Sequence, residues 1–202
     1  MSIYDQLHSH IKKRISLTNE ECRRATTFFT PKNLRKGHFL LQEGDVARHL
    51  AFVAKGCLRC YTVDRKGEVH IVQFAIEDWW ISDAYSTLTG EPSEYNIDAI
   101  EDSELLVLDI SVREKLLSEI PKFERLFRLL LEGRFVANQK RITDSLSSSA
   151  QERYLNFMKK YPAIARSVPQ TQIAAYLGIT PQSLSRIRKK LAAKASPSSP
   201  RS

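Results

Sequence analysis

The sequence predicts an α+β protein with an N-terminal antiparallel β-roll, a long helix and a C-terminal helix-turn-helix. Three observations carry that prediction. Between Leu34 and Asp109, short β-rich runs are divided by turn residues, with Gly37, Gly44, Gly56 and Gly67 as punctuation. From about Lys122 to Ser145, apolar residues recur at helical spacing. Gln170 to Leu191 reads QTQIAAYLGITPQSLSRIRKKL, two short amphipathic stretches on either side of a glycine.

Composition bounds the class. At 202 residues, 42% hydrophobic and 27% charged, the chain has the make-up of a globular protein of one or two domains. The net charge of +8 is unevenly placed: up to Ile110 there are 13 Lys+Arg against 17 Asp+Glu, and beyond it 18 against 6. A basic end beside an acidic one points to a polyanionic partner at that end only, because Lys and Arg gain affinity by releasing counterions from phosphates. No apolar run approaches the ~18 residues of a spanning helix, so no membrane partner is expected. The opening MSIYDQLHSHIKK has no apolar core of signal-peptide length, and a cytoplasmic location follows as the expectation. Cys22, Cys57 and Cys60 make an odd count, which suits a reducing compartment better than a disulfide framework. Cys57 and Cys60 have redox or metal spacing but lie in a strand-like run without a second ligand pair.

Taken in order, Ser2 to Arg14 predicts a helix with Ile3, Leu7 and Ile11 on one face. Thr18 and Glu21 have capping-box spacing and open a second helix that Pro31 should close, with strands from Asn33 onward. Asp64 to Gly67 reads as a hairpin turn between CLRCYTV and EVHIVQF. At Ser111 helical spacing returns in VREKLLSEI, which Pro121 cuts. In the long helix, Phe123, Leu126, Phe127, Leu130, Ala137 and Ile142 form an apolar stripe that can pack on its own roll or on a second copy. Ser145 to Ser149 interrupts the pattern, and Ala150 to Lys160 predicts a further helix. The resulting division is a sensor over 1–120, a connecting and dimerising helix over 121–146, a helix-turn-helix domain over 147–193 and a disordered tail over 194–202.

Within the helix-turn-helix, Ile173 and Leu177 share a face and Gly178 supplies a left-handed cap. Thr180 and Pro181 then have N-cap and first-turn chemistry. In the second helix Leu184, Ile187 and Leu191 form the inner stripe, while Gln182, Ser185, Arg186 and Lys189 occupy the opposite face. Gln and Arg can make bidentate hydrogen bonds to base edges, and Ser and Lys reach bases or phosphates, so this face suits a major groove. Lys189 and Lys190 add cations at the far end. An ordinary helical hairpin with a solvated charged face is the competing reading.

The order of elements, together with Leu41-Gln-Glu-Gly-Asp45, Phe52-Val-Ala-Lys-Gly56, the Lys66-Gly67-Glu68 turn, Ala150-Gln-Glu-Arg-Tyr-Leu155 and Thr180 to Arg186, resembles the Crp/Fnr superfamily of bacterial transcription regulators. The resemblance implies a cyclic-nucleotide-binding-like roll, homodimerisation, binding to double-stranded DNA, a possible small-molecule effector and contact with RNA polymerase. It implies base contacts from Gln182, Ser185 and Arg186, with Gln182 where relatives often have Glu, and phosphate contacts from Thr171 and Ser183. A carboxamide pairs best with adenine where a carboxylate accepts from cytosine, so the preferred half-site should differ at that base.

The phosphate cassette departs from the family pattern. The carboxylate for the ribose has a possible counterpart in Asp83, but Ser93-Glu94 stands where the family's Arg would hold the cyclic phosphate. From Ile81 to Val112 there is no Lys or Arg and there are eight acidic residues, so a phosphate there would meet repulsion. Cyclic nucleotide binding is therefore not expected. Trp79, Trp80, Asp83 and Ser93 are the residues left to line a pocket for another ligand. No cofactor and no metal set is expected, since the five His residues lack ligand spacing and three cysteines cannot hold an iron-sulfur cluster. An enzyme is disfavoured for want of an acid, base or nucleophile set. The alternative from another class is a ligand-binding signalling module whose C-terminal helices dock on a protein.

Overall fold

The structure, a computed structural model, describes residues 2–195 and divides into two compact units, residues 1–138 and 139–202. In the first unit, helices α1 (Ile3–Lys12) and α2 (Asn19–Thr26) precede eight strands: β1 (Phe29–Leu34), β2 (Phe39–Leu41), β3 (His49–Lys55), β4 (Leu58–Val63), β5 (Val69–Ala75), β6 (Trp79–Ile81), β7 (Asn96–Ala99) and β8 (Ser103–Asp109). They form two antiparallel four-stranded sheets, ordered β1-β8-β3-β6 and β2-β7-β4-β5. A short helix α3 (Ala84–Thr89) lies between β6 and β7, and α4 (Arg113–Glu119) follows β8. Helix α5 (Lys122–Ser147) runs through the boundary between the units.

Two apolar clusters explain the strand pattern. Ala51, Val53, Leu105 and Val107 point into the roll with Leu58, Ile81 and Ile97. Alternating with them, Phe52, Ala54, Leu106 and Leu108 face a second cluster built by α1, α2, α4 and the first turns of α5. Strands β3 and β8 are thus buried on both faces, which is why they read as near-continuous apolar runs. Trp80 belongs to the second cluster. Its ring lies 5.2 Å from that of Phe52, and its indole N–H donates to His10 Nε2 at 2.9 Å.

Local chemistry sets the element ends. The expected capping box forms, Thr18 with Glu21 on α2, and a second, Ser2 with Asp5, opens α1. Gly56 turns the chain between β3 and β4 at φ 96°, and a Cβ there would sit 2.8 Å from the Asp102 carbonyl oxygen. Asp64 Oδ1 accepts from the Lys66 and Glu68 amides, closing the β4–β5 hairpin where the sequence predicts a turn.

Three expectations are corrected. Pro31 does not close α2: that helix ends at Thr26, and Pro31 sits inside β1, so the strands start before Asn33. Its missing N–H is tolerated because β1 is an edge strand paired only with β8. The second correction concerns the stripe on α5, which is not continuous. Phe123, Leu126 and Phe127 are buried and Leu130 packs beside them, but Ile142 is exposed, as are Leu131, Phe135, Val136 and Leu146. Finally, α3 and α7 (Pro162–Ser167) are helices that the sequence reading did not separate from their loops. Pro162 is the first residue of α7, where its ring is compatible with helix geometry.

In the second unit, α6 (Ala150–Lys160), α7, α8 (Gln170–Leu177) and α9 (Pro181–Ala195) enclose Tyr154, Phe157, Ile164, Val168, Ile173, Leu177 and Leu184. Helix α6 starts on a capping box, Ser149 with Glu152. Helix α9 continues to Ala195, two residues into the span expected to be a tail, and 196–202 lies outside the described residues.

Candidate nucleic-acid interface

Helices α8 and α9 build the expected motif. Gly178 has φ 65°, the left-handed cap, and the Ile179 amide donates back to the Ala174 carbonyl at 3.1 Å. Thr180 Oγ1 accepts from the Ser183 amide at 3.2 Å, the N-cap bond that starts α9. Ile173 and Ala174 of α8 are fully buried, and Leu184 of α9 is 1% exposed. Ile187 and Leu191 are half-buried along the same side. This anchoring fixes which way α9 faces: Gln182, Ser185, Arg186, Lys189 and Lys190 are all exposed. Thr171 is exposed in the first turn of α8. Ser183 is half-buried, its hydroxyl held by Thr180 at 3.0 Å.

The unit carries 12 Lys+Arg against 2 Asp+Glu. A helix presenting carboxamide, hydroxyl and guanidinium groups, on a unit of this charge, can pair with base edges while its lysines neutralise phosphates.

The four residues proposed for a pocket in the roll are divided by the structure. Trp80 is taken up by α1 through His10, whereas Trp79 packs on the roll's interior cluster. Asp83 and Ser93 are brought together: Ser93 Oγ donates to Asp83 Oδ2 at 2.7 Å, and both are buried. Asp83 also caps α3 by accepting from the Tyr85 amide at 3.0 Å. The carboxylate is therefore held by groups of its own segment. The sequence reading missed Arg134 of α5, whose Nη1 donates to the Ser82 carbonyl at 2.8 Å. The signal was present, since Arg134 falls on the same side of the helix as Leu130 and Ala137, a base inside an apolar stripe.

Cys57 and Cys60 are buried, and neither is in a disulfide. Burial pushes the Cys57 thiol up to about 12, which keeps it protonated and a poor ligand or nucleophile at neutral pH. Among the described residues, Asp64, Glu68 and His70 are the one group close enough to share a cation, on the exposed tip of the β4–β5 hairpin.

A roll of two antiparallel sheets, a long helix and a basic helix-turn-helix are the features with which known proteins can be compared. Residues 31–119 match the family model of the cyclic nucleotide-binding domain. The fumarate and nitrate reduction regulatory protein of Vibrio cholerae is 22% identical over 167 residues, covering 77% of this chain and 66% of that protein, just under two thirds of its length. Regulatory protein HlyX of Actinobacillus pleuropneumoniae is 22% identical over 77% of this chain and 69% of its own. Among solved structures, FixK2 from Bradyrhizobium japonicum has a TM-score of 0.72 at 19% identity, over 82% of this chain and 85% of that one. The c-di-GMP responsive regulator CLP of Xanthomonas campestris has a TM-score of 0.71 at 13% identity, over 88% and 93%. The chain thus carries a stretch similar to the cyclic nucleotide-binding domain and shares the fold of FixK2 and CLP.

Proposed function

We propose that the protein is a sequence-specific DNA-binding transcription regulator that acts as a homodimer and is not gated by cyclic AMP. The observation that carries this reading is the outward face of α9, where Gln182, Ser185 and Arg186 are exposed because Leu184 is locked into the core of the second unit. In the major groove Gln182 and Arg186 read base edges, Ser185 assists, and Thr171, Ser183, Lys189 and Lys190 hold phosphates. The relatives with this fold include proteins named as regulators, which supports the assignment. RNA polymerase is the partner such a regulator would meet on a promoter.

Dimerisation is assigned to α5. Leu131, Phe135 and Ile142 are exposed at spacings of four and seven, a seam that fits a second copy of the same helix. Two α9 helices would then enter successive major grooves about 34 Å apart on a palindromic site. The reading that cyclic AMP does not gate the protein is supported by the cassette: Asp83 is engaged by Ser93, no Lys or Arg lies between Ile81 and Val112, and the guanidinium that reaches the segment from α5, that of Arg134, is already bonded to the Ser82 carbonyl. A small-molecule effector of other chemistry is compatible with this reading and is not required by it.

Selection of bound fragments from sheared genomic DNA tests the function. The expected outcome is one enriched palindrome bound well above bulk DNA by a dimer, and calorimetry showing no micromolar affinity for cyclic AMP or GMP. Binding indifferent to sequence would favour the docking of these helices on a protein instead.

A further inference from the structure

The cassette between β6 and β7 is tied together by hydrogen bonds of its own, and the guanidinium of Arg134 reaches it from α5. Ser93 Oγ donates to Asp83 and accepts from the Tyr95 amide at 3.0 Å, so the two ends of the segment are joined. Ser82 Oγ and Thr87 Oγ1 are 2.9 Å apart, adding a second tie across α3. Onto this closed segment Arg134 delivers its guanidinium from α5, a link across 52 residues of sequence. The side chain is half-buried, and burial lowers its pKa against the opposing fields of Cys60, Asp83 and Tyr95. A guanidinium stays protonated under such conditions, so a fixed positive charge enters a segment that has acidic residues and no base of its own.

The neighbours of Arg134 on the helix face elsewhere. Leu131 and Phe135, three residues before and one after, are 47% and 62% exposed. One turn of α5 therefore reaches into the cassette on one side and offers apolar surface on the other.

We propose that Arg134 is an internal tether: it does from within the chain what a ligand bridging cassette and helix would do, fixing this turn of α5 so that Leu131 and Phe135 are presented to a second copy without a small molecule. The inference rests on the homodimeric, DNA-binding reading for its consequence and on the Arg134–Ser82 bond for its mechanism. Arg134 is a positioning residue. Its role is to hold the helix turn through the Ser82 carbonyl, not to bind DNA or the second copy itself. The guanidinium satisfies a backbone carbonyl whose residue is buried, and its charge offsets that of Asp83, so removal should loosen the cassette and the helix turn together.

Hydrogen exchange and DNA affinity, measured on the same full-length variants, test it. Arg134→Met should raise amide exchange of residues 82–95 by about tenfold or more and weaken binding to the selected palindrome by a similar factor. Arg134→Lys, which keeps the charge but not the planar fork, should fall between the two. Arg128→Met, at an exposed position on the same helix, should leave the exchange of residues 82–95 unchanged. Unchanged exchange in Arg134→Met would overturn the tether, as would raised exchange with wild-type palindrome affinity. If the unsubstituted protein selects no palindrome, the regulator reading fails by itself. The tether then stands or falls on whether exchange in 82–95 and the dimer dissociation constant both rise in Arg134→Met.

Discussion

The two units of the molecule use their polar side chains in opposite ways. In the β-roll unit they are turned on one another: Arg59 holds Asp98 through two bonds of 2.7 and 2.9 Å, Ser93 holds Asp83, and Trp80 donates to His10. In the helix-turn-helix unit Arg186, Arg188, Lys189 and Lys190 of α9 are exposed, and its Gln182 and Ser185 face outward with them. The first arrangement specifies a shape, because a buried polar group must find its partner within the chain. The second leaves hydrogen-bonding capacity unspent for something outside. Variants that break one pattern should leave the other intact, and the sizes of their effects rank the interactions.

The largest effect is expected on the α5 seam. Phe135→Glu combined with Ile142→Asp would place carboxylates on the proposed seam, and should leave the protein monomeric and cut palindrome affinity at least about a hundredfold. Because both positions are exposed in the single chain, melting of the isolated monomer should shift little. Sedimentation and a gel-shift titration check the two halves of that statement.

Gly56→Ala acts on the roll alone. It forces an L side chain into φ 96° and against the backbone of Asp102 and Ser103, and should cost about 3 kcal/mol of stability by denaturant melting. Base discrimination of the protein that remains folded should not change.

A smaller effect concerns pH. Burial, with help from the nearby Arg14, lowers His10 from 6.5 to about 4. The folded protein holds the neutral ring, whose Nε2 accepts from Trp80, while the unfolded chain takes up a proton near pH 6.5. This contribution is therefore complete above about pH 6.5 and is lost as pH falls towards 4, by on the order of 2 kcal/mol. His10→Leu should flatten that part of the stability profile while leaving the Trp80 N–H without its acceptor, at a constant cost of about 1–3 kcal/mol. Urea melts at intervals between pH 4 and 7 would show both.

The smallest expected change is at Lys189. Lys189→Ala should weaken every DNA sequence alike and reduce the slope of log affinity against log salt by about 1.

Much of the architecture was legible because its signals are local. The capping box at Thr18, the Asp64 to Gly67 turn and the Gly178-x-Thr180-Pro181 junction each depend on residues a few positions apart, as do the boxes at Ser2 and Ser149 that the sequence reading passed over. Pro31 misled because its meaning depends on strand order, which no local pattern reveals: at the edge of a sheet its missing donor costs little. The division of the α5 stripe and the role of Arg134 were hidden for the same reason. Both depend on which turns of the helix meet the roll, and Arg134 finds its acceptor 52 residues away. The outward face of α9 was readable, since three apolar positions at helical spacing determine which side chains are left outside.

The central claim is that this face reads bases. Affinities of the unsubstituted protein and Arg186→Ala, measured on the selected palindrome and every single base-pair variant of it, test it most directly. A loss of about 1–3 kcal/mol on the cognate site, with discrimination abolished at one base pair in each half-site, is the expected result. An equal loss on every variant and on random DNA would show that Arg186 meets only phosphates, and would contradict the account.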